Sequence, residues 1–77
     1  MKIPKYLFTK TIEIRNLQIK QKEIEDIILK WFEEKGIDVD DEDFIDSVGG
    51  YIANGDFENL EQFQWAVDNY LEKRLKQ

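Results

Sequence analysis

The chain has 77 residues, no cysteine, no histidine and a formal net charge of −6. That length allows one small domain, and the missing thiols and imidazoles exclude disulfides, structural zinc and histidine- or cysteine-based catalysis. Disorder is excluded as well, because 42% hydrophobic and 13% aromatic residues supply enough apolar surface to fold.

No apolar run approaches the ~20 residues that a membrane helix requires. Met1-Lys2-Ile3-Pro4-Lys5 leads into a mixed segment rather than the apolar stretch of a signal peptide. The expected compartment is the cytosol, with no membrane association.

Pro4 suits the first position of a helix, where its missing N–H costs nothing. Ile14, Leu17, Ile24, Ile28 and Trp31 follow at helical spacings, and Gly36 supplies a stop after Lys35. The pattern predicts one long helix over about 4–35. Thr9–Arg15 alternates with period two and would suit a strand, but the chain offers no second strand to pair with it, so helix is preferred.

After Gly36–Asp40, either Asp40 or Asp41 can cap a second helix over about 41–54, with Phe44, Ile45, Val48 and Ile52 on one face. Gly49-Gly50 inside it reads as a kink or close packing, or as a hinge. Asn59 with Gln62 resembles a capping box and opens a third helix over about 59–75. The fold expected is all-α: one long N-terminal helix packed with two shorter ones. At ~1.5 Å per residue the first would outrun the others. Its apolar residues, Leu7, Ile14, Leu17 and Ile24 among them, would then stay exposed unless the helix bends or a second copy covers them. A homodimer through this helix is the corresponding expectation.

The charge is segregated. Residues 36–72 carry eleven acids and no base, whereas residues 1–35 hold eight bases against six acids. Asp38, Asp40, Asp41, Glu42, Asp43 and Asp46 serve as a solvated capping segment on the plainest reading. On the sharper reading they join Asp56, Glu58 and Glu61 in imitating a phosphate backbone before a basic groove. An EF-hand fails, because Asp43 falls where Gly is required and Gly49 where the bidentate Glu is required. No metal or cofactor is expected. Core packing accounts for most of the aromatic residues. Trp65 leaves the Leu60/Phe63/Val67 stripe and is the candidate exposed anchor, with Tyr51 as the second. The bases of the first helix are diluted by acids and read as a solvated face, so direct nucleic-acid binding is not expected.

Ile3-Pro4-Lys5-Tyr6, Arg15 and the run Trp31-Phe32-Glu33-Glu34-Lys35-Gly36-Ile37-Asp38 resemble small proteins carried by phages and mobile elements of Gram-positive bacteria. The resemblance implies a genetic context in which small acidic proteins include anti-CRISPR and anti-restriction inhibitors, some of them DNA mimics. The expectation is therefore a non-enzymatic antagonist of a basic, nucleic-acid-handling host protein, acting in the host cytosol. The alternative is a self-associating helical scaffold module.

Overall fold

The computed structural model describes residues 1–17 and 21–75, with Leu17 and Gln21 described by backbone alone. All regular structure among them is helical: α1 (Lys5–Leu17), α2 (Gln21–Glu34), α3 (Glu42–Phe44), a π-helical segment (Ile45–Gly49), α4 (Gly50–Asn54) and α5 (Leu60–Leu75). The longest helix is thus C-terminal, which corrects the expectation of one dominant N-terminal helix. A straight helix over residues 5–34 would run to ~45 Å. The molecule's longest dimension is 37 Å.

Residues 5–17 and 21–34 instead pack against each other, while residues 18–20, where the expected helix would have continued, lie outside the described residues. The reason is burial. Ile3 ahead of α1, and Leu7, Thr11 and Ile14 on one side of it, recur every three or four residues, and all four are buried. Packed against Ile28 and Phe32 of α2, they need no second copy to cover them. Thr9–Arg15 is helical throughout. Its period-two pattern reflects Thr11 and Ile14 turned inward and the Lys10–Glu13 ion pair (3.2 Å) outside. The buried Thr11 hydroxyl is satisfied by donating to the Phe8 carbonyl at 2.7 Å.

Two Schellman turns end the helices. The Gly36 and Ile37 N–H groups donate to the Glu33 and Phe32 carbonyls, those of Gly55 and Asp56 to the Ile52 and Tyr51 carbonyls. Between these turns α3, the π segment and α4 run on as one rod. It buries Phe44, Val48 and Ile52 at four-residue intervals. Gly50 closes the widened turn by donating to the Ile45 carbonyl, and a Cβ there would lie 3.2 Å from that oxygen.

Among the four glycines the tightest approach is at Gly55. Its φ is +65°, and a Cβ would fall 2.8 Å from the Arg15 backbone nitrogen and from the Thr11 carbonyl oxygen. Only glycine fits. Arg15 then reaches over the turn and donates to the carbonyls of Gly55 (2.7 Å) and Phe57 (2.5 Å). A base that reads as solvent-facing in the sequence is therefore a staple between α1 and the α4–α5 loop.

Aromatic rings join the layers into one cluster. Phe32 meets Phe44 edge-on at 5.3 Å, and Phe44 meets Tyr70 in the same way. Phe57 stacks on Phe63 at 4.6 Å with planes only 4° apart.

Candidate protein-binding face

The acids of the sequence divide into two groups once folded. In the first, Asp38 and Asp41 are turned toward the protein's own backbone. Asp38 accepts from the Asp40 N–H at 3.0 Å, and Asp41 caps α3 by accepting from the Asp43 N–H at 3.2 Å. The other Asp41 oxygen accepts from the Tyr70 hydroxyl at 2.9 Å, tying the start of α3 to the last turns of α5. Arg74 donates to the same hydroxyl at 3.2 Å. Burial pushes the Tyr70 phenol up from its ordinary value. The Arg74 hydrogen bond opposes this shift and the one to Asp41 adds to it. Glu42 and Asp43 occupy the exposed first turn of α3, where their charge faces the positive helix end. Asp40 lies with Lys22 and Glu25 along a hollow between α2 and the rod.

The second group surrounds two exposed rings. Tyr51 of α4 is 47% exposed and Trp65 of α5 is 67% exposed. Helical phase explains both. α5 commits Phe63, Ala66, Val67 and Tyr70 to the interior, which leaves residue 65 on the outer side. Ile52 takes the inward position on α4, so its neighbour Tyr51 turns out. Tyr51 is still braced, its ring 5.6 Å from Phe57, which in turn stacks on Phe63.

The two rings line one hollow of about 260 Å³, shared with Asp46, Ser47, Phe57, Gln62, Ala66 and Asn69. A neighbouring hollow of about 290 Å³ reuses Asp46 and Tyr51 and adds Asp56. On the far side of Trp65 a third, about 360 Å³, is bordered by Lys2, Ile3, Glu61 and Asp68. Gln64 fixes the rim of that third hollow. It accepts from the Ile3 N–H and donates to the Met1 carbonyl, both at 2.6 Å, strapping the N-terminus onto α5.

Asp46, Tyr51, Asp56, Glu61 and Trp65 therefore share one face. Glu58 is exposed two residues before α5 and lines none of the three hollows, its N–H donating to the Gln62 side chain. Asp38, Asp40, Asp41, Glu42 and Asp43 line none of these three hollows. None of Asp46, Asp56, Glu58, Glu61 and Asp68 is in an ion pair among the described residues.

Gln62, Asp68 and Asn69 were missed by the sequence reading, although they fall three before, three after and four after Trp65. Helical spacing from the suspected anchor would have found them. Ser47 gave no such signal.

Two of the residues expected to mediate self-association are spent elsewhere. Leu7 and Ile14 are fully buried in this chain's own core and offer no surface, which corrects that assignment. Ile24 is half-buried against the same core, and the Leu17 side chain lies outside the described residues. No cluster among the described residues could hold a metal ion, and no described helix is long and apolar enough to cross a membrane. Compared with protein-family models, curated proteins and solved structures, the chain finds no significant match.

Proposed function

We propose that the chain is a non-catalytic binding protein that docks on a basic surface of a nucleic-acid-handling host protein, as a phage-type antagonist would. The observation that carries this reading is the face around Tyr51 and Trp65. Two large rings stand exposed on braced backbone, within a set of carboxylates that have no ion-pair partner among the described residues. Exposed Trp and Tyr are the side chains that most often dominate a protein interface, and unneutralised carboxylates steer a basic partner toward them. The inward use of Asp38 and Asp41 moves the centre of this reading away from Asp38–Asp43, toward Asp46, Asp56 and Glu61. The chain has neither imidazole nor thiol, the commonest general base and the strongest side-chain nucleophile.

The test is capture of the partner on immobilised full-length chain from host cytosol, followed by affinity measurements with the purified pair. Binding should weaken steeply between ~0.1 M and ~1 M salt, as the screening length falls from about 10 to 3 Å. The triple charge reversal Asp46→Lys, Asp56→Lys, Glu61→Lys should abolish it. Tight binding indifferent to both would eliminate the acidic-face reading.

A further inference from the structure

The hollow between Tyr51 and Trp65 brings both exposed rings together with a carboxylate and no base. Its 260 Å³ equals about nine waters at ~30 Å³ each, and lies below the ~300–1,000 Å³ of small-molecule sites. That volume suits one long side chain. Its sides carry the exposed rings of Tyr51 and Trp65, and Phe57 and Ala66 contribute apolar surface.

The polar lining consists of acceptor-bearing groups. Asp46 supplies a carboxylate, and the Asp46, Ser47 and Asn69 side chains have no hydrogen-bond partner among the described residues. Gln62 is already engaged, accepting from the Glu58 N–H at 2.6 Å. No Lys or Arg lines the hollow. The hollow across Trp65 differs on this point, because Lys2 borders it and would repel an incoming cation.

We infer that the Tyr51–Trp65 hollow is a specificity pocket for a single arginine side chain of a partner protein. This inference rests on the acidic-face reading and sharpens it from "basic" to "arginine". A guanidinium is planar and weakly hydrated, so it stacks on aromatic faces, and its five N–H donors match a carboxylate flanked by hydroxyl and amide oxygens. A lysine ammonium is a compact, strongly hydrated point charge that leaves the ring faces poorly used. The pocket is preorganised, because Tyr51 is braced through Phe57 onto Phe63 and Ala66 belongs to the long α5. Little ordering is then required on binding.

The probes are two capped, alanine-spaced peptides of equal length and charge, one bearing arginines and the other lysines. Each is titrated into the full chain by calorimetry and followed through the two Trp indole resonances. The arginine peptide should bind about tenfold tighter. It should move the Trp65 indole and leave Trp31 in place. Trp65→Ala and Tyr51→Ala should erase the preference, and Asp46→Asn should reduce it, while Trp65→Ala and Asp46→Asn stay close to the parent's unfolding temperature.

Equal, salt-sensitive binding of both peptides would overturn the pocket and leave the acidic face standing. No binding of either peptide at low salt would remove both. Sedimentation of the chain alone closes the remaining route: a dimer that Trp65→Ala dissociates would give the hollow to a second copy and overturn the proposal.

Discussion

Asp38–Asp43 and the Asp46–Asp68 face are both acidic, yet they do opposite work. In the first segment carboxylates accept from backbone N–H groups and, at Asp41, from a buried tyrosine of another helix. In the second, Asp46, Asp56 and Glu61 lack any such partner among the described residues and stand beside exposed rings. Asp38 and Asp41 hold the fold, whereas Asp46, Asp56 and Glu61 leave their charge unspent. Acid content alone is therefore a poor guide to a binding surface. What matters is which carboxylates the fold has already satisfied.

The largest effect should come from the turn that sets α4, and with it Tyr51, in place. Gly55→Ala forces a Cβ to 2.8 Å from two backbone atoms at positive φ, and should cost about 3 kcal/mol or more. Gly36→Ala has a similar φ of +84° but open space around it, and should cost only ~1 kcal/mol. Urea unfolding of the two variants checks the contrast, and equal losses would refute the close approach.

Next comes Asp41→Ala, which removes the α3 cap and leaves the Tyr70 hydroxyl without its acceptor. A loss of ~1–2 kcal/mol is expected. If Asp41→Ala were as neutral as Asp46→Ala in the same measurement, the division of the acids into two groups would collapse.

Tyr70→Phe should cost about 1 kcal/mol near neutral pH and show its clearest effect in alkali. The folded phenol's value is raised above the ordinary ~10, so folding favours the protonated form. That contribution is complete below ~10 and is lost as pH rises through the raised value. The parent's stability should fall over that alkaline range more steeply than the variant's in pH-resolved thermal unfolding.

The smallest stability effects belong to the face. Asp46→Asn, Glu61→Gln and Trp65→Ala should each change unfolding free energy by no more than about 0.5 kcal/mol, in contrast to their effect on binding. A larger loss at Trp65 would mean that its ring supports the fold.

Much of the secondary structure was legible because its signals are local. The helical class, the Gly36 stop and the Asn59 cap, which accepts from the Gln62 N–H at 2.7 Å, each depend on residues a few positions apart. Trp65 was also legible as an outlier, since it breaks the apolar stripe of its own helix. The separation of α1 from α2 was not, because Ile14, Leu17, Ile24 and Ile28 keep one helical phase across the gap at Gln21. A periodic stripe says which side of a helix is apolar, and it leaves open whether that side meets another part of the same chain or a second copy. Arg15 was hidden for a related reason: the carbonyls it holds lie forty and forty-two residues away.

By itself, then, the sequence determined the helical character, the sites of capping and the segregation of charge, all consequences of short-range sterics and composition. Only the tertiary structure decided that Leu7 and Ile14 serve this chain's own core, that Asp41 is held by Tyr70, and that Asp46, Tyr51 and Trp65 meet around one hollow. Those outcomes depend on how helices distant in sequence are brought together, and burial of the shared apolar surface sets that arrangement.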